Sequence, residues 1–262
     1  MGVKQHQDHL LSLLSSSIEV VYNAFDSYPT KEFIEYCPHC HGEEEERHLH
    51  KVPLNEMTPG NLGQYAFNAL SIWGDSADYR HFLPRILELS VSRHSEPGLE
   101  PWLIGSKLAY AKWDSWPSLE RNAILGFMEA AWQIVLSCPP SDASKEIKGP
   151  IWWSVEETFA LVANSGIDVD PFLKRWLPSD ELSPHLHLAL LSIDQAPYYS
   201  KKKSFNLPII TSQTTNTKLI NWLLNMDIYE SLMNIYEEEI NSDWSDLLAQ
   251  GVDALEWIHQ VK

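Results

Sequence analysis

The sequence predicts an all-α fold of stacked antiparallel helices, about ten of them, and three observations carry that prediction. Apolar residues recur at steps of three and four along most of the chain, which is the period of one helix face. Capping residues and prolines stand where several of those stripes begin. Strand signals are scarce: Asn206–Thr211 is the one candidate, and Pro208, which cannot donate to a ladder, weakens it.

Taken in order, Leu10, Leu13, Leu14, Ile18, Val21 and Phe25 form one stripe and predict a helix over 8–26. Thr58-Pro59 reads as an N-cap followed by proline at the first helical position. Leu62, Tyr65, Ala66, Ala69, Leu70 and Trp73 extend that helix to Gly74, which is placed to end it. Asp75 is placed to cap the next helix, which carries Tyr79, Phe82, Leu83, Ile86 and Leu87. Pro84 inside it should kink it or mark its true start. Further helices are expected at 100–113, 117–137, 153–164, 168–177, 181–193, 216–239 and 243–260. Of the capping candidates Ser118 with Arg121, Ser154 with Glu157 and Asp243 with Asp246, only the second is a full capping box.

Residues 195–215, with Pro197, Tyr198-Tyr199 and Lys201–Lys203, read as a long mobile loop within a single helical domain spanning 1–262. One internal echo is visible. Phe82-Leu83-Pro84-Arg85-Ile86-Leu87 resembles Phe172-Leu173-Lys174-Arg175-Trp176-Leu177, 90 residues later. HEAT-like repeats run to roughly 40–47 residues, so two units would fit, and a HEAT-like solenoid is the finer expectation.

Acids outnumber bases 36 to 19, a formal charge of −17. Such a chain repels phosphate backbones, which disfavours direct nucleic-acid binding. The charge is not spread evenly. Residues 32–46 carry six acids and no base, and residues 225–262 carry nine acids and one base. A solvated helix face accounts for such runs most simply; the sharper reading is that they meet a basic partner or a cation. No stretch of 18 apolar residues occurs, so no membrane span is expected. The short run Leu10–Leu14, with Lys4 the only base before it and no cleavage site after it, does not read as a signal peptide. The expected address is the cytoplasm. Three cysteines are too few for a disulfide scaffold.

Cys37-Pro38-His39-Cys40-His41, followed by Glu43–Glu46, His48 and His50, supports four readings. It fits the C-x-x-C-H of haem attachment, a chemistry that normally needs export. Cys37–Cys40 also resembles the CPHC active site of the DsbA-type thiol oxidoreductases. That resemblance covers four residues and implies a thioredoxin-like fold, whose βαβ pattern is missing downstream. Four glutamates just after the motif would moreover raise the thiol pKa. The third reading is a zinc site on Cys37 and Cys40, with His41, His48 and His50 near in sequence and His48 and His50 nominated as the further ligands. Two apart on a helix, His48 and His50 point to different sides, so one of them would ligate and His39, His41 or a distant group would close the site. The last reading is structural: small apolar thiols and solvated histidines.

Trp73-Gly74-Asp75 with Asp78, Arg80, His81 and Arg85 concentrates polar groups at a helix junction. It reads as a capped corner with an Asp–Arg pair and a packed tryptophan, and alternatively as a pocket holding Asp75, His81 and Arg85. His185 and His187 lie two apart at a helix start, and Cys138 before Pro139-Pro140 looks structural. There is no HExxH, P-loop, GxGxxG or GxSxG motif, so no catalytic or organic-cofactor residue is nominated. The eleven tryptophans fall mostly on apolar helix faces and read as core.

The order Tyr36-Cys37 to Cys40, Pro53-Leu54, Tyr65, Trp73-Gly74-Asp75, Phe82-Leu83-Pro84-Arg85 and Gly105-Lys107-Leu108 resembles an uncharacterised bacterial family of helical proteins. The resemblance covers residues 36–120 and implies a bacterial cytoplasmic setting, with no reaction attached. Together the observations point to a non-enzymatic helical interaction module for a basic protein partner. The alternative is a zinc-dependent protein or enzyme centred on Cys37 and Cys40.

Overall fold

A computed structural model describes residues 3–92, 96–140, 151–177, 181–202, 204, 205, 207 and 209–260. Among them the chain is all-α, with twelve helices: α1 (Val3–Phe25), α2 (Glu43–His48), α3 (Pro59–Asn68), α4 (Ser76–Ser90), α5 (Pro101–Tyr110), α6 (Ser118–Ser137), α7 (Val155–Asn164), α8 (Asp170–Trp176), α9 (Leu182–Lys202), α10 (Gln213–Leu223), α11 (Met226–Glu238) and α12 (Ser245–Gln260). Two single turns of 3₁₀ helix lie at Leu54–Glu56 and Trp113–Ser115. No described helix is long and apolar enough to cross a membrane.

The fold divides into two compact units, one of Met1–Ile134 with Gly149–Trp153 and one of Val135–Lys148 with Ser154–Lys262. In the first, α4 is the hub. Its Tyr79, Phe82, Leu83, Ile86 and Leu87 are fully buried, and α1 and α3 both pack on it. α1 contributes Leu10, Leu14, Val21 and Phe25, and Tyr22 Oη donates to Glu88 Oε2 at 2.6 Å. The same Glu88 receives Arg85, whose Nε also donates to the Met57 carbonyl at 2.8 Å. Asp75 caps α4 as expected, accepting the amides of Ala77 and Asp78. Pro84 is buried and the helix runs through it.

In the second unit α9 is the axis, held by α11 and α12. Gly251 permits the closest approach: a Cβ there would lie 2.4 Å from that of Ala189. His185 bridges the Glu181 carbonyl and Ser231 Oγ, each at 2.8 Å, and His187 reaches the carbonyls of Val135 and Cys138. Both histidines are thereby used in packing. Ser154 and Glu157 make the expected capping box at α7.

Several expected boundaries move. α3 stops at Asn68 rather than at Gly74, because Leu70 takes a left-handed φ of 68° and residues 70–74 turn back on residues 35–37. The helix expected over 216–239 is two, broken where Asn225 caps α11 through the Asp227 amide. The loop expected from 195 begins only after Lys202. Within a helix Pro197 forfeits a single N–H bond, while Ala196 and Tyr199 on either side of it stay buried. The described residues of 206–211 form no strand. Phe82-Leu83-Ile86-Leu87 and Phe172-Leu173-Trp176-Leu177 are buried at matching positions, which is what amphipathic helices do with or without a repeat.

Candidate functional site

The site begins with two stretches of non-helical backbone in the first unit. The Cys37 amide donates to the Ile72 carbonyl at 2.8 Å, and the Gly74 amide to the Glu35 carbonyl at 2.7 Å. Tyr36 and Trp73 thus pair antiparallel. Between them the chain reverses tightly. Leu70 sits in the left-handed region, its amide bonded to the Trp73 carbonyl at 3.0 Å, and Gly74 follows at φ 71°. A bulky residue with positive φ is strained, and such residues gather where geometry serves a function. Lys107 secures the reversal by donating to the Ala69 carbonyl and to Ser71 Oγ.

These stretches wall an open cleft of about 660 Å³, lined by Lys31, Phe33, Glu35, Tyr36, Cys37, residues 70–75 and Asp78. Phe33 is 53% exposed, an unusual state for phenylalanine. Lys31 Nζ bridges Asp75 and Asp78, at 2.7 and 3.0 Å. Burial pushes the Asp75 carboxyl up, but the Lys31 ammonium and the amides of Asp78 and Ala77 outweigh it and hold the pKa at about 2. Behind the wall, Trp73 packs against His41, with ring centroids 4.4 Å apart, and against Tyr65 at 5.7 Å. Trp73 Nε1, Tyr65 Oη and His41 Nε2 are buried without a hydrogen-bond partner. Burial, then the charge of Asp78, raises the Tyr65 pKa.

At the lip of the cleft, Cys37–Cys40 is a turn in which the Cys40 amide donates to the Cys37 carbonyl at 3.0 Å and the His41 amide to the same oxygen at 3.1 Å. Cys40 is exposed and Cys37 half-buried. The His39 amide and the Cys40 thiol donate to Cys37 and lower its pKa, while Cys40 is raised by that same thiol contact. Glu43–Glu46, expected to raise the thiols, are not what governs Cys37.

The structure brings Cys37 and Cys40 together but not the four residues of the expected zinc set. His48 Nε2 accepts from Asn61 Nδ2 on α3 at 3.0 Å, and His50 Nε2 bonds the buried Glu46 at 2.6 Å. Glu46 also accepts the Ile34 amide, so His50 is tied into the hydrogen bonds that hold the backbone of the site. Among the described residues no three His, Cys, Asp or Glu side chains are grouped to hold an ion.

Of the helix-junction residues, Trp73, Gly74, Asp75 and Asp78 reach the cleft. Arg80 lies over the Trp116 ring at 4.2 Å and donates to Tyr28 Oη, Arg85 holds Glu88, and His81 bonds Thr30 and the Tyr28 carbonyl. The partner of Asp75 is therefore Lys31, not an arginine, and His81 and Arg85 are engaged elsewhere and do not line the cleft that Asp75 reaches. Lys31 and Phe33 were not singled out in the sequence and Glu35 only as one of the acidic run 32–46, since their place in the cleft depends on contacts some 40 residues away. No protein-family model, curated protein or solved structure matches the chain.

Proposed function

We propose that the chain is a non-enzymatic helical interaction module and that the cleft beside Trp73 receives an extended, basic segment of a partner protein. One observation carries this reading: an open cleft that combines an exposed phenylalanine with three carboxylates and a single ammonium, the latter already paired. Exposed Glu32, Glu43 and Glu44 add negative charge in the adjoining sequence. Apolar contact would supply affinity, and charge would speed encounter and set partner choice. We place the protein in the cytoplasm, where free cysteines such as Cys37, Cys40 and Cys138 persist.

The test is an array of twelve-residue peptides graded in charge and aromatic content, read by fluorescence anisotropy with the full chain. Basic peptides should bind, weaken with salt, and lose affinity about tenfold against Glu32→Lys/Glu35→Lys. Equal binding of acidic and basic peptides, or no binding at low salt, overturns the reading.

A further inference from the structure

We propose that Cys37 and Cys40 form a thiol–disulfide exchange site selective for disulfides carried on cationic molecules. Exchange at this site needs no peptide in the cleft, and its geometric basis is the Cys37–Cys40 turn. A carbonyl-to-amide bond across four residues keeps its first and last Cα atoms within about 7 Å, which overlaps the span a disulfide bridges. The Cys40 amide donates to the Cys37 carbonyl at 3.0 Å, and both residues reach solvent. By contrast, Cys138 has its thiol raised by burial, which makes it the internal control. Cys37 lines the cleft and Cys40 does not, which makes Cys37 the sulfur that meets the incoming disulfide; the His39 amide and the Cys40 thiol lower its pKa as well.

The steps balance. Cys37 as thiolate attacks one sulfur of RS–SR. The S–S bond breaks, a Cys37–S–S–R bond forms, and RS⁻ leaves with the electron pair and takes a proton from solvent. Cys40 gives its proton to solvent, attacks the Cys37 sulfur and expels the second RS⁻, which is likewise protonated. Two electrons pass from the dithiol to the incoming disulfide, two RSH are released, and the protein holds a Cys37–Cys40 disulfide.

Selectivity comes from the surroundings of the attacking sulfur. Cys37 shares the cleft with Glu35, Asp75 and Asp78, against which Lys31 is the one basic lining residue, with Lys107 reaching Ser71 at its edge; Glu43, paired with Arg47, and Glu44 are exposed just beyond Cys40. An anionic disulfide is repelled there and a cationic one concentrated.

The experiment mixes the reduced full-length chain with cystamine, a cation, or with oxidised glutathione, an anion, at pH 7. Adducts are mapped by mass spectrometry. Ring closure should follow with both reagents. The cystamine-to-glutathione rate ratio should be at least about fivefold higher for the folded chain than for the same chain in urea, and should shrink toward the urea value at about 1 M salt. Cys40→Ser should trap one adduct on Cys37, and Cys37→Ser should react at least about tenfold more slowly at Cys40. Adducts that persist on both cysteines without ring closure overturn the exchange site, and a folded ratio equal to the unfolded one overturns the selectivity. The wild-type measurement alone decides both points if either variant fails to fold. Peptide binding plays no part in the readout, so the docking reading can fail while this one holds.

Discussion

Asp75 shows how one side chain serves both fold and site. It caps α4, pairs with Lys31 and lines the cleft, and its carboxyl is held at about 2 against an ordinary 3.8. Because the folded pKa is depressed, the stabilisation is complete above the unfolded value and is lost as pH falls from about 4 toward 2. Asp75→Asn should therefore flatten the fall of the urea midpoint with pH in that window; an unchanged slope would remove Asp75 from the acid response. Gly74 carries a second residue-scale expectation. At φ 71°, with Asp78 and Ile34 atoms 3.1 Å from any added Cβ, Gly74→Ala should lower stability by about 1–3 kcal/mol in urea melts. Asp75 was legible in the sequence as an N-cap, whereas Gly74, expected to end α3, lies six residues beyond its last residue, Asn68. The share of both in a cleft was not legible, because Lys31 and Glu35 are brought to them only by the Tyr36–Trp73 pairing.

Among the elements, the helices were readable from apolar period and caps because burial of one face and satisfaction of end amides are local demands. The breaks were harder to read. Ala69, Leu70 and Trp73 continue the apolar stripe of α3, yet the backbone leaves the helix there because pairing with residues 35–37 offers the same chain other hydrogen bonds. Apolar residues run on past Asn225, but the buried positions on either side, Leu219 and Leu223 before it and Ile228 and Leu232 after it, are out of phase, and only that shift marks the break that Asn225 caps. Asn225→Ala should cost about 1 kcal/mol, measured by thermal or urea unfolding. The α9–α12 seam gives a sharper test. Gly251→Ala places a methyl 2.4 Å from the Ala189 Cβ and should destabilise by about 1–3 kcal/mol. Gly251→Ala with Ala189→Gly should recover part of that loss, and a double variant no better than the single one would mean the seam tolerates the methyl by other movements.

Over the whole molecule, the charge of −17 resolves into two kinds of surface. Along α11 and α12, Glu237, Glu238, Asp246, Asp253 and Glu256 are exposed, while Leu248, Val252, Leu255 and Ile258 are buried, which is a solvated face. The other acidic run adjoins the cleft. Reversing two charges in each should separate them: Glu32→Lys/Glu35→Lys should change peptide affinity and its salt slope, whereas Glu237→Lys/Glu238→Lys should leave both unchanged. The division into two units adds a test by amide hydrogen exchange. Gly251→Ala should speed exchange along α9 and α12 and leave the Cys37 and Gly74 amides at their original rates. Those two amides have a use of their own. They are the crossing bonds between the two strips of backbone that wall the cleft, one contributed by each strip. Parting the strips breaks both at once, so their protons should be lost at a shared rate. Between them they time how often the cleft wall comes apart, in a protein with nothing bound.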